Sequence, residues 1–153
     1  MEIERKFLIS PESLPENLHR FPSHAIEQAY LCTSPVVRVR RQDDSYWLTY
    51  KSRGLLSREE YNLPLTEESY RHLLAKADGR ILTKRRYKIP LEPTSLTIEL
   101  DEFSGFYEGL FLAEVEFPSE EEALAFQPPE WFGREVTYTG EYQNSVLALA
   151  EEK

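Results

Sequence analysis

The sequence predicts a mainly β (α+β) protein built from antiparallel strands, with a few short helices between them. Charged and apolar residues alternate along seven separate segments, and a period of two is typical of a strand with one polar and one apolar face. Helical spacing or capping signals occur in only three segments, and all of these are short. At 153 residues the chain has the usual size of one domain. We therefore expect a single domain over residues 1–153 in which strands dominate.

The chain begins with the segment MEIERKFL, in which Glu2, Glu4 and Lys6 fall on one face of a strand. Ile3 and Phe7 point to the opposite face. Two carboxylates and an ammonium on one face suit a site that holds a divalent cation beside a polyanion. The same pattern also suits a face exposed to solvent, because antiparallel sheets commonly have one wet side.

Six later segments repeat this alternation. The basic residues of their charged faces are Arg38, Arg40, Lys51, Arg58, Lys84, Arg86 and Lys88. The acidic residues of these faces are Glu60, Glu99, Asp101, Glu114 and Glu116. Two architectures accommodate such strands. In one, the apolar faces form the interior of a sandwich or barrel, and in the other the apolar faces point outward beneath helices and the barrel lumen is charged. Periodicity alone leaves both open.

Helix signals lie between the strands. The segment 10–18 contains two prolines and predicts at best a broken helix. The segment TEESYRHLLAKADG predicts an amphipathic helix that begins after Thr66 as its cap and ends at Gly79.

Two further helices are predicted near the C-terminus. Ser119, followed three residues later by Glu122, resembles a capping box that begins a helix, and two prolines end it. From residue 140 to the end, helical spacing gives the chain an apolar side. The members of that side are Val146, Leu149 and Ala150.

The ordered set of charged motifs resembles the CYTH superfamily, the triphosphate tunnel metalloenzymes. Its signature of two glutamates and a lysine is matched by Glu2, Glu4 and Lys6. The later motifs follow in the family's order, namely Arg38 with Arg40, Lys51, Lys84 with Arg86, Glu99 with Asp101, and Glu114 with Glu116. The resemblance implies a closed eight-stranded antiparallel β-barrel with a charged lumen and helices packed outside. It also implies that the segment 25–32 supplies the remaining strand.

The resemblance further implies roles for these side chains. The residues expected to take part in catalysis are Glu2, Glu4, Lys6, Glu114 and Glu116. The residues expected to bind the phosphate oxygens are Lys6, Arg38, Arg40, Lys51, Lys84 and Arg86. Those expected to hold Mg²⁺ or Mn²⁺ are Glu2, Glu4, Asp101, Glu114 and Glu116. Arginine and lysine suit phosphate oxygens, and hard divalent cations prefer carboxylate oxygen.

The function implied by this resemblance is metal-dependent hydrolysis of a linear triphosphate, above all inorganic tripolyphosphate, by attack of water on a terminal phosphoryl group. Several alternatives stay open: a nucleoside or thiamine triphosphatase, an adenylyl cyclase, and a noncatalytic polyphosphate- or triphosphate-binding module. A lipocalin-like barrel for apolar ligands is a different alternative, and it requires an apolar lumen.

Composition argues against several other classes of protein. A formal net charge of −9 does not suit nonspecific nucleic-acid binding, which needs an exposed basic surface. The charged N-terminal segment lacks the apolar core of a secretory signal, and no apolar run is long enough to span a bilayer. We expect a cytoplasmic enzyme whose partner is a small-molecule triphosphate, with no nucleic-acid or membrane partner. The sequence does not predict an oligomeric state.

The single cysteine and the three histidines are not candidates for the site. Cys32 is predicted to be a buried small apolar residue and not a nucleophile. His19, His24 and His72 have no second ligand at metal-binding spacing, so they are predicted to lie at the surface.

Overall fold

The computed structural model describes residues 1–150, which form nine strands and three α-helices. The strands are β1 (Glu2–Leu8), β2 (Ser23–Thr33), β3 (Val36–Gln42), β4 (Ser45–Lys51), β5 (Ser57–Arg58), β6 (Glu60–Leu65), β7 (Asp78–Pro90), β8 (Thr97–Ser104) and β9 (Phe111–Glu116). The helices are α1 (Glu67–Leu74), α2 (Glu120–Ala125) and α3 (Asn144–Leu149). The longest of them has eight residues, and in the described range none has the length and apolar character needed to cross a membrane.

The strands form one antiparallel sheet in the order β5, β1, β9, β8, β7, β2, β3, β4, β6. Only Glu59 separates β5 from β6, and these two strands pair with β1 and β4 respectively. The two ends of the strand order therefore meet, and the sheet is a nearly closed barrel. The predicted fold class is confirmed. Nine strands replace the expected eight because the segment 57–65 breaks at Glu59 and pairs with two different neighbours.

Strand β2 contains the segment 25–32 that was expected to supply a strand, but it has a bulge between Tyr30 and Cys32. Tyr30 pairs with Arg38, whereas Cys32 pairs with Val37 on the opposite face of β3. Because the bulge breaks the alternation of the strand, Cys32 leaves the face of Tyr30. The prediction that Cys32 is buried is therefore wrong, and its side chain is exposed.

The main apolar core lies outside the barrel wall. The buried residues that β1, β7, β8 and β9 contribute to it are Ile3, Phe7, Tyr87, Ile89, Ile98, Leu100, Phe111, Ala113 and Val115. They are covered by side chains from the loop after β1, from α2 and from the segment that follows it, namely Leu14, Leu18, Phe21, Ala123, Phe126, Trp131 and Phe132. Burying apolar surface yields about 25 cal/mol per Å². This term favours the arrangement in which the charged strand faces turn inward.

A second apolar cluster covers one end of the lumen. Leu82, Phe103 and Leu112 lie on the inner faces of β7, β8 and β9, and they pack with Leu147 and Ala148 of α3. Helix α3 therefore closes that end of the barrel over the described residues.

The C-terminal helix was predicted at the right place but with the wrong inner face. Asn144, Ser145, Leu147 and Ala148 are buried. Val146 and Leu149, predicted to form the apolar side together with Ala150, are 43% and 45% exposed. Helical spacing alone could not tell that the first turn would place an asparagine and a serine towards the lumen. The last three residues of the predicted helix lie outside the described range.

Helix α1 begins as predicted but ends earlier. The Thr66 side chain accepts a hydrogen bond from the Ser69 backbone N–H at 3.0 Å, whereas the helix ends at Leu74 and Gly79 lies in β7. The prediction that Gly79 ends the helix is thus wrong. Gly79 has φ +68°, and a Cβ atom there would lie 2.2 Å from the carbonyl oxygen of Ala148. Glycine is required at this position because it lets α3 approach β7 closely.

The remaining helical segments lie where the sequence patterns place them, although only one of the two hydrogen bonds of the predicted capping box at Ser119 is present in the described chain. Helix α2 begins after Ser119, whose side chain accepts a hydrogen bond from the Glu122 backbone N–H at 3.1 Å. The proline-rich segment after β1 forms only two 3-10 turns, at Pro11–Ser13 and Leu18–Arg20.

Candidate active site

The barrel lumen contains a cavity of about 330 Å³ with a charged wall. The predicted site residues that line it are Glu2, Glu4, Lys6, Arg38, Arg40, Lys51, Lys84, Arg86, Glu114 and Glu116. Asp101 does not line the cavity, because it lies fully buried behind Lys84 and Arg86. Arg85, between those two bases, is exposed on the outer face. A lumen of this charge does not fit a barrel for apolar ligands.

Two carboxylates at the cavity wall have no basic partner among residues 1–150. Glu4 and Glu116 are directly opposite each other on the paired strands β1 and β9. Burial, with Glu114 and Glu2 acting in the same direction, raises the pKa of Glu4 to about 8. Burial and the charges of Glu2 and Glu60 also raise the pKa of Glu116. Without a cation, this side of the cavity therefore opposes ionisation of Glu4 and Glu116, and a bound divalent cation would favour their charged forms.

Glu2 belongs to a neutralised group beside that pair. Its carboxylate accepts from Lys51 Nζ at 2.9 Å and from Arg58 Nε at 3.1 Å, and Lys51 Nζ also lies 3.4 Å from Glu60. Burial opposes ionisation of Glu2, but the charge of Lys51 and the hydrogen bond from it, together with Arg58, lower its pKa overall. Lys51 and Arg58 thus hold the Glu2 carboxylate in its charged form.

Glu114 is neutralised by bases from two other strands. Lys6 Nζ lies 3.3 Å and Arg86 Nη2 lies 3.7 Å from its carboxylate oxygens. Burial opposes ionisation, yet the charges of Lys6 and Arg86 hold the pKa of Glu114 well below its usual range. Glu114 therefore fixes two bases at the cavity wall.

Asp101 anchors two bases from the side away from the cavity. Arg86 donates to both of its oxygens, at 2.7 Å and 2.9 Å, and Lys84 Nζ lies 2.7 Å from Oδ2. Both oxygens are thus engaged, so the contacts of Asp101 do not favour the metal-binding role expected from the sequence. Burial lowers the pKa of Lys84 to about 7; Arg86 and Arg40 act in the same direction and Asp101 opposes them.

Arg38 and Arg40 differ from the other lumen bases because no carboxylate of residues 1–150 pairs with them. Arg38 Nη2 contacts only the Thr49 hydroxyl, at 3.3 Å, and Arg38 Nε is a buried donor without a partner in the described chain. Arg40 Nε donates to the Gln28 side-chain oxygen at 2.8 Å. Burial, Arg38 and Arg86 lower the pKa of Arg40 to about 9. These two guanidinium groups supply positive charge that is available to an anion.

Sequence reasoning missed three polar residues next to these bases. Gln28 is fully buried, and its amide donates to the Tyr30 hydroxyl at 3.1 Å and to the Asn144 side-chain oxygen at 2.9 Å. Gln28 and Tyr30 lie on β2, which was predicted from the family resemblance alone. The period of two that they form with Ile26 was a usable signal for a strand. Asn144 lies at the polar start of a helix whose inner face was predicted wrongly.

The three histidines lie outside the cavity, as predicted. His19 and His72 are exposed, and the partly exposed His24 has its Nδ1 atom 2.6 Å from Asp43 Oδ2. The prediction that they are surface residues is confirmed.

The donor set at the cavity fits a hard divalent cation. Carboxylate oxygens are the ligands that Mg²⁺ and Mn²⁺ prefer, and Glu4 and Glu116 provide two that have no basic partner in the described chain. Within residues 1–150, no three His, Cys, Asp or Glu side chains are already gathered as a metal cluster. Glu2 and Glu114 are the nearest further carboxylates along β1 and β9, and both are held by bases.

A profile of the CYTH domain matches residues 1–145, which is nearly the whole chain. The chain belongs to the CYTH family. This CYTH protein is 43% identical over 153 positions to an inorganic triphosphatase of Nitrosomonas europaea, with 97% of each chain covered. It is 37% identical over 151 positions to an inorganic triphosphatase of Acetivibrio thermocellus, covering 95% of this chain and 92% of that one.

Solved structures share the barrel. The crystal structure of an inorganic triphosphatase superposes on this CYTH protein with a TM-score of 0.73 at 37% identity, covering 100% of this chain and 97% of that one. A protein of Pyrococcus horikoshii superposes with a TM-score of 0.62 at 24% identity, covering 82% and 84% respectively, and it shares the fold. Triphosphatases of the CYTH family depend on a metal ion.

Proposed function

We propose that this CYTH protein is an inorganic triphosphatase that hydrolyses tripolyphosphate to pyrophosphate and phosphate with Mg²⁺ or Mn²⁺. The reaction adds one water across a terminal P–O–P linkage. Two relatives that align over nearly their full lengths are named inorganic triphosphatase. This similarity supports the enzyme class and a small-molecule triphosphate as the substrate.

The observation that carries the proposal is the separation of unneutralised charge within one cavity. Arg38 and Arg40 have no carboxylate partner in the described chain, and Glu4 and Glu116 have no basic partner there. Positive side chains without counter-charges suit phosphate oxygens, and carboxylates without counter-charges suit a divalent cation. A linear triphosphate with a bound cation presents both complements at once.

The residues would divide the work of phosphoryl transfer, which depends mainly on positioning and on neutralising oxygen charge. Arg38 and Arg40 would bind phosphoryl oxygens through their planar guanidinium groups. The bases that pair with carboxylates would orient the triphosphate. They are Lys6, Lys51, Lys84 and Arg86. Asp101, which pairs with Lys84 and Arg86, is proposed as a positioning residue and not as a metal ligand.

Glu4 and Glu116 are proposed as the main metal ligands, with Glu2 and Glu114 beside them. A bound Mg²⁺ or Mn²⁺ would supply positive charge to the phosphoryl oxygens and to the attacking water. The bases that hold Glu2 and Glu114 keep both carboxylates ionised at the cavity wall. The catalytic set is thus proposed to be Glu2, Glu4, Lys6, Glu114 and Glu116.

A nucleoside triphosphatase is the second candidate, and one observation favours it. Trp47 lines the same cavity with 37% of its surface exposed, and it lies opposite Arg40 across the β3–β4 pair. An indole face at that position could stack on a nucleobase while Arg40 binds a phosphate.

Phosphate release from tripolyphosphate, ATP and thiamine triphosphate distinguishes the candidates. Each substrate is assayed with Mg²⁺, with Mn²⁺ and with a chelator. We expect tripolyphosphate to have the largest kcat/KM and the chelator to abolish turnover. Equal or better use of ATP would favour the nucleoside triphosphatase, and cyclic AMP formation would indicate a cyclase. Binding of tripolyphosphate without turnover under every metal condition would contradict an enzymatic function and favour a binding module.

We also propose that residues 1–153 act as one domain in the cytoplasm, without a nucleic-acid or membrane partner. Support comes from one continuous sheet that uses strands from residue 2 to residue 116, and from the net charge of −9. Cell fractionation, with a DNA-binding assay at low salt, tests this. Recovery in the membrane fraction or salt-sensitive DNA binding would contradict it.

A further inference from the structure

Helix α3 is held against the barrel by contacts at its C-terminal end. The Tyr107 hydroxyl donates to the carbonyl oxygen of Leu147 at 2.7 Å, and Arg80 Nη1 donates to the same oxygen at 2.8 Å. The Arg80 guanidinium carbon also lies 3.8 Å from the centroid of the Phe106 ring. These contacts fix the helix in a position where its first residue, Asn144, reaches the lumen.

Hydrogen bonds determine which way the Asn144 amide faces. Lys84 Nζ lies 2.8 Å from the Asn144 side-chain oxygen, and an ammonium group can only donate. Gln28 Nε2 donates to the same oxygen at 2.9 Å. Gln28 is itself oriented, because its own oxygen accepts from Arg40 Nε, which is also only a donor. The carbonyl of Asn144 is therefore turned towards Lys84 and Gln28, and its NH₂ group points elsewhere.

The NH₂ group of Asn144 faces the cavity. No atom of residues 1–150 accepts a hydrogen bond from it, whereas its oxygen has two donors. Within those residues, Arg38 Nε is the single fully buried side-chain nitrogen or oxygen without a partner, so the Asn144 nitrogen is not sealed in protein. Asn144 as a whole is only 8% exposed and lines the lumen cavity. Two donor hydrogens are thus directed at the space where a ligand would lie.

We propose that Asn144 is a substrate-contacting residue whose NH₂ group donates to a phosphoryl oxygen at the inner, α3-covered end of the bound triphosphate. Its oxygen meanwhile orients Lys84 towards the same phosphoryl group. This inference rests on the proposed function, because it names a further contact of the same ligand. A neutral double donor suits the position, since it adds hydrogen bonds without adding to the repulsion among Lys84, Arg40 and Arg86. Helix α3 is then a component of the binding site as well as a cover.

Two substitutions separate substrate contact from simple support of Lys84. Asn144→Asp keeps the side-chain shape and an oxygen for Lys84 and Gln28, but it replaces the NH₂ donor with a charged oxygen. Asn144→Ala removes both functions. If Asn144 contacts phosphate, kcat/KM for tripolyphosphate falls about 10-fold in the alanine variant, as for a lost hydrogen bond to a charged group. It falls at least about 100-fold in the aspartate variant, because like charges repel strongly in a poorly solvated cavity.

The relative kcat/KM of the two Asn144 variants distinguishes contact with the substrate from support of Lys84. If Asn144 only supports Lys84, the aspartate variant should have a higher kcat/KM than the alanine variant. A kcat/KM of the aspartate variant that equals or exceeds that of the alanine variant would therefore overturn the proposal. Val146→Thr is the matched control, because Val146 is exposed on the same helix, and we expect its activity to equal the wild type. Thermal unfolding of each variant identifies any loss of fold. If the alanine variant unfolds, the test rests on the aspartate variant, whose kcat/KM should be at least about 100-fold below that of the wild type.

Calorimetric binding of tripolyphosphate in the presence of a chelator separates this inference from the proposed function. We expect the wild type to bind and the aspartate variant to bind at least about 10-fold more weakly, since its charge opposes the ligand directly. A wild type that neither binds nor hydrolyses tripolyphosphate would refute both proposals. A wild type that binds and hydrolyses it, with Asn144 variants that match it, would refute only the role of Asn144.

Discussion

Replacing Arg40 with glutamine should weaken the binding of phosphate without weakening the fold. Arg40 lines the cavity, donates to Gln28, and has no carboxylate partner among residues 1–150. Burial lowers its pKa to about 9, with Arg38 and Arg86 acting in the same direction. The folded protein therefore disfavours the charge that the substrate would favour. Removal of the Arg40 charge should therefore lower activity without lowering stability.

The two effects can be worked out separately. Loss of a charged hydrogen bond to phosphate removes about 2 to 3 kcal/mol of transition-state stabilisation, or about 30- to 150-fold in kcat/KM. For folding, a pKa lowered from 12.5 to about 9 corresponds to a penalty of the order of 5 kcal/mol on the charged form. Arg40→Gln does not carry that penalty, because glutamine is uncharged. It also leaves the Gln28 oxygen without its donor, at roughly 1 to 3 kcal/mol. The free energy of unfolding should thus rise by about 2 to 4 kcal/mol.

Arg41→Gln is the matched control, because Arg41 is the next residue of β3 and is exposed on the outer face. Phosphate release from tripolyphosphate gives kcat/KM for both variants, and urea unfolding gives their stability. The control should match the wild type in activity. Equal kcat/KM in the two variants would place Arg40 outside the substrate path. A parallel loss of activity and stability in Arg40→Gln would show that the residue supports the barrel instead.

Three further predictions concern the carboxylates. Glu4→Gln and Glu116→Gln should each lower metal-dependent turnover by at least about 100-fold, as for the loss of a charged ligand in the transition state. Thermal stability should stay level or rise, because each substitution removes a carboxyl whose ionisation is opposed by burial and by its acidic neighbours. Full turnover across a Mg²⁺ and Mn²⁺ titration would exclude the substituted residue from the site. Asp101→Asn should lower the free energy of unfolding by about 3 to 5 kcal/mol, because it leaves two buried bases underneutralised, and urea unfolding that shows a loss below about 1 kcal/mol would contradict its anchoring role. Glu135 has its pKa lowered by the hydrogen bond from Arg5, with burial opposing, so its contribution to stability is complete above the usual value of 4.5 and is lost as the pH falls through the lowered pKa. Glu135→Gln should therefore be less stable than the wild type at pH 7, and this difference should shrink as the pH falls below 4.5. Urea unfolding that shows an unchanged difference below that pH would refute this linkage.

The alternation of charged and apolar residues was sufficient to predict every strand except β2 and most of the charged side chains that share the lumen. Glu2, Glu4 and Lys6 lie on one face because a strand has a period of two, and the same rule placed Lys84 and Arg86 together on one face of β7. Periodicity could not decide whether that face points inward or outward. The choice depended on the order of motifs along the whole chain and on a resemblance to a known family.

Features that depend on contacts between distant segments were not predictable. The bulge that exposes Cys32 has no local residue signal, and the need for glycine at Gly79 arises from Ala148, almost seventy positions later. Asp101 has the pattern of a lumen carboxylate, and only its contacts with Lys84 and Arg86 indicate that it anchors bases. Such assignments require coordinates, because each follows from which neighbours the folded chain brings within a few ångströms.

The two tryptophans of this chain lie in separate compartments of the molecule. Trp47 is in the lumen wall, and Trp131 is in the outer apolar core with its ring centroid 4.8 Å from that of Phe132. Their fluorescence therefore reports on different events: emission from Trp47 responds to what enters the cavity, and emission from Trp131 responds to loss of the outer core. With either indole replaced by phenylalanine, a single emission spectrum follows ligand occupancy or unfolding separately, without an added label.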